Sequence, residues 1–445
     1  MEANLHLPWS KEISPPVRSS ITFYSKMNDD MIFRKCKTIS IYCRIGYCSI
    51  SLEWTLSRNL FITPFLSGTG RALPGNVFII DIPAEKLRPG FYDLKVFIDV
   101  GEDRELEGLC TFGFEIEKIK YKSILPSDFT KFWESAKNKI NTIPLEPEEH
   151  FFKKMSEKEI EQYNVKSACL PPKYDGRVRH NKIEVYKISF SSINGLRVYG
   201  WLAEPVGKGP FPGMLVLPGA GYRSEPIPAE HARHGYVALD IQVHNQDVNQ
   251  DKYTKPEWEN KPVDYSNPET SEFYTMYLNC VQAVNYLSSR KDVAKDKIVS
   301  VGGSQGGRLS VIVAAMDTRI RAIVPAILWG ANFLYQKWAM LLNKEKKNGM
   351  DRDLPEYEET PENTFFSYFD PANFARKIKC PVLMNAGLRD TVSPPTCVYA
   401  VFKQLATKDK EIIFLPGLGH DWSAEFDRYA WRWIEHKLVK KFSNF

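Results

Sequence analysis

The segment from Lys297 to Arg308 constrains this chain more than any other. Ile298, Val299 and Val301 form a β-branched run that breaks at Gly302 and Gly303, presents Ser304, and passes through Gly306 and Gly307 into a second apolar pattern. Leu309, Val311, Ile312, Ala314 and Ala315 suit a helix packed on a sheet, so the stretch reads as strand, sharp turn, helix. A serine between Gly302 and Gly306 fits the G-x-S-x-G turn, where a side chain at either flank would collide with the neighbouring strand or helix. That turn lifts the Ser304 hydroxyl clear of the sheet edge. The pentapeptide alone is a weak signal, and an idle serine in a glycine-rich turn is the reading that partner residues must displace.

The surrounding chain supplies the sheet. Strands are expected at Ile183–Ser191 and Leu196–Glu204, joined through Asn194-Gly195, and at Gly213–Leu217. Beyond them strands at Gly235–Ile241, Ile298–Val301, Arg321–Ile327, Pro381–Ala386 and Glu411–Leu415 alternate with helices, including Phe273–Leu287 and a terminal one over Ser423–Val439. Such alternation implies a mostly parallel sheet covered on both faces, with ligands at the C-terminal ends of its strands. Ahead of it, Phe129, Phe132, Trp133, Ala136 and Ile140 recur at helical spacing behind a Ser127 or Asp128 cap. Upstream of Pro126 the period changes to two: Cys48, Ile50, Leu52 and Trp54 share one face, Tyr92, Leu94, Val96 and Ile98 a second, and Cys110, Phe112, Phe114 and Ile116 a third. The Leu87-Arg88-Pro89-Gly90-Phe91-Tyr92 turn is of the kind found in immunoglobulin-like sandwiches, where a tyrosine ties a corner. Residues 1–120 are therefore expected to form an all-β immunoglobulin-like sandwich of six or seven strands, and residues 121–445 an α/β domain. The alternation turns Trp54 and Tyr92 inward, so a packing role for the sandwich outweighs sugar binding.

In the architecture that uses this serine turn, an acid and then a histidine follow the serine. Of the eight histidines only His420 and His436 come after Ser304, and His436 sits beside Glu435 and Lys437 on what reads as a solvated helix face. His420 instead closes Leu415-Pro416-Gly417-Leu418-Gly419-His420, just past a strand. Asp390 likewise closes an apolar strand, whereas most other late acids lie in helices or in the charged insertion from Lys344 to Glu359. His420 would take the Ser304 proton, and Asp390 would hold the imidazole in the tautomer that can do so. The Gln305 N–H, at a helix start, would face the developing oxyanion, with the Ala220 N–H of Pro218-Gly219-Ala220-Gly221-Tyr222 as the second donor.

Other features narrow the field. A net charge of +5 with acids and bases nearly balanced demands neither nucleic acid nor an acidic membrane. No apolar run approaches the roughly 18 residues of a membrane span, and Met1 to Ser20 lack the apolar core of a secretory signal. The chain reads as cytoplasmic as written, or periplasmic or secreted if a leader was removed before numbering. Eight scattered cysteines contain no C-x-x-C pair, leaving only a Cys43–Cys48 bridge open. His231, His234 and His244 flank Asp240 and Asp247 without a tetrahedral ligand spacing, so no metal is expected. Aromatic residues crowd the insertion from Trp329 to Phe369, where a cap over the serine would sit, and Trp329 and Tyr222 are candidate substrate contacts.

These residues resemble the acetyl xylan esterase and cephalosporin-C deacetylase family of carbohydrate esterases within the α/β-hydrolases. The resemblance rests on Asp128-Phe129-Thr130-Lys131-Phe132-Trp133, the Gly302–Gly307 turn, Lys379-Cys380-Pro381-Val382-Leu383 leading to Gly387-Leu388-Arg389-Asp390, and Pro416-Gly417-Leu418-Gly419-His420. Gln305 is its most telling residue, because prolyl-peptidase relatives usually carry tyrosine there. The resemblance implies a triad of Ser304, Asp390 and His420, oxyanion donors at Gln305 and Ala220, no cofactor, and removal of acetyl groups from short acetylated xylo-oligosaccharides and similar small esters. The family's Arg-Gly-Gln segment is replaced here by Val243-His244-Asn245-Gln246, and its His-Gly-Tyr loop by Pro218-Gly219-Ala220. The second change removes a tyrosine from the acyl pocket, and the first argues against the family's ring-like hexamer, leaving a homo-oligomer open. The alternatives are a peptidase or general acyl esterase of the same fold, or a sugar-binding protein with an idle site.

Overall fold

The computed structural model describes residues 21–439 apart from 47–48, 50, 102–104, 168–179, 255–262 and 351–357. Cys48, Ile50 and Tyr357 therefore lie outside the described residues, and with Cys48 the Cys43–Cys48 pairing.

Nine strands form the central sheet among the described residues, numbered here within that sheet: β1 (Glu148–Ser156), β2 (Lys182–Ser191), β3 (Arg197–Pro205), β4 (Phe211–Leu217), β5 (Val237–Gln242), β6 (Val293–Gly303), β7 (Ile320–Ala326), β8 (Val382–Gly387) and β9 (Lys410–Leu415). Their spatial order is β1-β2-β3-β5-β4-β6-β7-β8-β9. The first three strands and β5 pair antiparallel, and every pair from β5 to β9 is parallel. The order reverses around β4. The crevice between the C-terminal ends of β4 and β6 is thus the topological switch point, where open α/β sheets bind ligands.

Strand periodicity assigns each residue of this sheet to a face. Leu215, Leu239, Ile241, Ile298 and Ile323 enter the larger core with helices α1 (Phe129–Asn141), α2 (Glu272–Ser289) and α3 (Gln305–Met316). Met214, Ala238, Val299, Val324 and Leu383 face α4 (Ala424–Val439) on the other side. Asp240 shares that second face, two residues past Ala238, in a strand that is otherwise apolar apart from its last residue.

Most expected elements stand within two or three residues of their predicted bounds, but a strand and a helix at one edge of the sheet were not anticipated. Strand β1 and the helix Glu157–Ser167 lie at the sheet's antiparallel edge, where Glu-Glu-His-Phe-Phe-Lys-Lys is almost wholly exposed and so carries no period-two signal. Asp128 does stand at the α1 N-cap, yet its side chain makes no cap bond and accepts one from the Tyr368 hydroxyl.

Among its described residues the amino-terminal region holds nine strands, more than the six or seven expected, because the short Ile32–Phe33, Leu66–Thr69 and Arg71–Leu73 segments show no alternation. They form a four-stranded and a five-stranded sheet. Trp54 and Tyr92 are buried as predicted, and the Tyr92 hydroxyl donates to the Arg88 carbonyl and accepts from the Arg88 N–H, tying the corner. This region packs on the rest of the chain. Phe61 stacks edge-on against Trp338 at 5.2 Å in the insertion helix Phe333–Lys344, Asn343 Nδ2 donates to the Leu60 carbonyl, and Thr396 Oγ1 donates to Asn59 Oδ1.

Candidate active site

Ser304 caps α3 with φ 56° and ψ −118°, a strained conformation for a residue with a Cβ. Two glycines make the turn possible. A Cβ on Gly302 would lie 2.6 Å from the Leu217 carbonyl oxygen, and one on Gly306 only 2.0 Å from it. The turn is then pinned by the Ser304 N–H, which donates to Ala326, and by the Ser304 carbonyl, which accepts from Arg308 and Trp329. Such strain persists because surrounding hydrogen bonds over-determine it.

The loops after β8 and β9 bring up the partners. The Arg389 N–H donates to the Leu418 carbonyl and the Leu388 N–H to Leu415, so the two loops are tied to each other. Asp390 is 2% exposed; its Oδ1 accepts from the Val392 and Ser393 N–H groups at 2.8 and 2.7 Å, which leaves Oδ2 free to point at His420. His420 Nδ1 lies 2.9 Å from Asp390 Oδ2, and its Nε2 lies 2.9 Å from Ser304 Oγ. With the proton on Nδ1 and shared with the carboxylate, Nε2 presents a lone pair to the serine hydroxyl. All three residues expected to cooperate are therefore joined in one chain of hydrogen bonds. His436, set aside from the sequence, is exposed on α4.

The remaining expectations fare unevenly. Gln305 is buried as the first residue of α3, where helix N–H groups lack intrahelical acceptors. Ala220 is exposed, and of its loop Pro218 and Gly219 line the cavity at Ser304. Tyr222 is half-buried with its ring against the His244 imidazole at 4.6 Å. The Trp329 backbone meets Ser304, but its ring lies under the Arg308 guanidinium at 5.6 Å and lines a separate open cleft of about 840 Å³. That cleft also takes Phe333 from the insertion and Leu60 and Ile62 from the amino-terminal region. His231 and His234 pack against Trp431, and His244 bonds Glu272. Among the described residues no three His, Cys, Asp or Glu side chains gather as metal ligands would.

A second cavity, of about 380 Å³, begins at Ser304 and runs between the sheet and α4. Four acidic groups line it, none of which sequence reasoning connected to the site: Glu225, Glu230, Asp240 and Asp427. The one local signal was Asp240 inside a fully buried strand. Burial, then the charge of Glu225, pushes the Asp240 carboxyl well above the usual range against the pull of Arg223, and burial does the same to Asp427 against Arg428. Glu225 is pushed up to about 7 by burial, with Arg223 opposing. Because that folded-state value lies above the unfolded 4.5, the unfolded chain sheds the proton first as pH rises, and this group's contribution to stability falls between about pH 4.5 and 7. Glu225→Gln removes that loss. Its urea midpoint relative to wild type should rise from pH 4.5 to pH 7, and a pH-independent difference would refute the assignment.

Comparison with known proteins bears on this geometry. A family model described as acetyl xylan esterase (AXE1) matches residues 113–437. Acetyl esterase Axe7A from Xylanibacter ruminicola is 27% identical over 376 residues, spanning 81% of this chain and 77% of that protein. Two solved structures share the fold. Acetyl xylan esterase from Paenibacillus sp. R4 is 24% identical, with a TM-score of 0.56, covering 72% of this chain and 98% of its own. Acetyl xylan esterase 1 from Thermoanaerobacterium sp. JW/SL YS485 is 21% identical, with a TM-score of 0.55, covering 71% and 95%. Among the described residues no helix is long and apolar enough to cross a membrane.

Proposed function

This chain belongs to the acetyl xylan esterase family, and on that premise we propose a serine esterase that releases acetate from acetylated xylo-oligosaccharides and similar small acetyl esters. The family makes it a carboxylic ester hydrolase acting on carbohydrate esters. The serine mechanism is supported above all by the unbroken path from Asp390 through His420 to Ser304.

In this mechanism Ser304 Oγ attacks the ester carbonyl carbon while His420 Nε2 takes its proton. The carbonyl oxygen becomes an oxyanion held by the Gln305 N–H and by the loop after β4, with Ala220 as its assigned donor. Collapse breaks the ester C–O bond, the sugar oxygen leaves with the proton from His420, and an acetyl-Ser304 remains. Water then attacks that carbonyl, again losing a proton to His420, and acetate departs as Ser304 recovers its proton. Asp390 keeps the imidazole oriented and offsets its positive charge in both halves. The region up to about residue 120 is read as an immunoglobulin-like accessory domain, for which the Tyr92 corner speaks.

Acyl specificity tests the reading. Acetate release from acetylated xylo-oligosaccharides should be rapid, and hydrolysis of 4-nitrophenyl esters should fall steeply from acetate to hexanoate. A profile that is flat or rises with chain length would indicate a general acyl esterase instead. Cleavage of a prolyl peptide substrate would indicate a peptidase.

A further inference from the structure

The cavity that begins at Ser304 is largely apolar, but charged and polar side chains that a hydrocarbon would not need are set into its lining, Asp240 and Asp427 together with Arg223, Glu225, Glu230 and His231. Asp240 and Asp427 are 2% and 7% exposed, both line it, and Asp240 Oδ1 and Asp427 Oδ2 have no hydrogen-bond partner among the described residues. A buried polar atom without a partner costs stability, and where such an atom belongs to a cavity-lining residue a bound ligand can supply the missing bond. Ile227 and Phe426 line the cavity with them, and the exposed Trp422 lies against Gly303.

We propose that this cavity is the subsite for one sugar ring carrying the ester, with Asp240 and Asp427 as the groups that recognise its hydroxyls. The proposal rests on the esterase reading above and adds where the alcohol half of the substrate is held. An alkyl acyl chain drawn in here would leave both carboxyl oxygens unmet. Sugar hydroxyls donate as well as accept, so they answer a carboxyl in either protonation state. A sugar ring also offers a C–H face that suits the Trp422 and Phe426 rings. At about 380 Å³ the cavity lies near the lower end of the roughly 300–1,000 Å³ typical of ligand sites, so it holds a single unit more readily than a chain. Its floor is the sheet and its far wall is α4, which favours an acetylated monosaccharide or the end unit of a short oligosaccharide over an internal unit of a polymer.

Acetate release by wild type, Asp427→Leu and Asp240→Asn on acetylated xylose, acetylated xylan and 4-nitrophenyl acetate tests this, with thermal melts alongside. Wild type should prefer acetylated xylose to the polymer. In each variant the ratio of kcat/KM for the xylose ester to that for the nitrophenyl ester should fall about tenfold, mostly through KM. Equal losses on both esters would mean the carboxyls are merely structural and would overturn the proposal. So would faster hydrolysis of 4-nitrophenyl hexanoate by Asp427→Leu, because the cavity would then hold the acyl half. If Asp427→Leu does not fold, Asp240→Asn, which keeps the side chain's shape but turns one acceptor oxygen into an NH₂ that can only donate, carries the comparison. Wild-type protein releasing acetate from none of the three esters would refute the esterase reading itself, a result distinct from either of these.

Discussion

Ser304→Ala is expected to lower kcat for acetate release by about 10⁶-fold while leaving the protein folded. The hydroxyl is the only nucleophile on the hydrogen-bond path from Asp390 through His420, so no neighbouring group can replace it. The fold should survive because the turn is held by backbone bonds to Ala326, Arg308 and Trp329, none of which uses the side chain. A companion variant separates strain from chemistry. At φ 56° any Cβ is strained, so Ser304→Gly should be as inactive as the alanine variant yet more stable than it, by on the order of 1 kcal/mol. Acetate release and thermal melts on the three proteins measure both effects. Retained activity in Ser304→Ala would end the serine mechanism, and a glycine variant melting below the alanine one would end the strain account.

Asp390→Asn should cost about 10⁴-fold in kcat with little change in fold. The amide oxygen can replace Oδ1 and keep accepting from Val392 and Ser393, so the side chain stays where it is. Its NH₂ group then faces His420 Nδ1, which must accept instead of donate. The imidazole proton is driven to Nε2, where it points at the Ser304 hydroxyl and removes the lone pair that would take the proton. The loss should appear in kcat more than in KM, because the substrate contacts are unchanged. A loss under tenfold would show that Asp390 does not set the tautomer.

Much of this site could be read without coordinates because its demands are local. A turn as tight as that around Ser304 needs glycine where a Cβ would strike the Leu217 carbonyl, and Gly302 and Gly306 announce it. His420 and Asp390 were legible from chain order and from their positions just past apolar strands, since loops at strand ends are what a parallel sheet aims at its ligand. Strand β1 was not legible, because an exposed antiparallel edge has no buried face to impose a period. The placement of Trp329 was half legible: its position after β7 put its backbone at the turn, but its ring lies against the Arg308 guanidinium, which in turn stacks on Phe273 of α2.

What the chain's order of residues determined by itself was the parallel sheet, the serine turn and the three residues that meet there, each specified by a pattern spanning a few residues. Only the tertiary structure decided what surrounds them. Asp240 and Asp427 stand on a strand and on the last helix, and they share a cavity because α4 covers the sheet face to which Asp240 belongs. Likewise, Phe61 reaches Trp338 through the packing of the amino-terminal sheets on the insertion helix. No periodicity encodes such neighbours. They follow from which faces find apolar surface to bury, and that balance is struck between segments far apart in the chain.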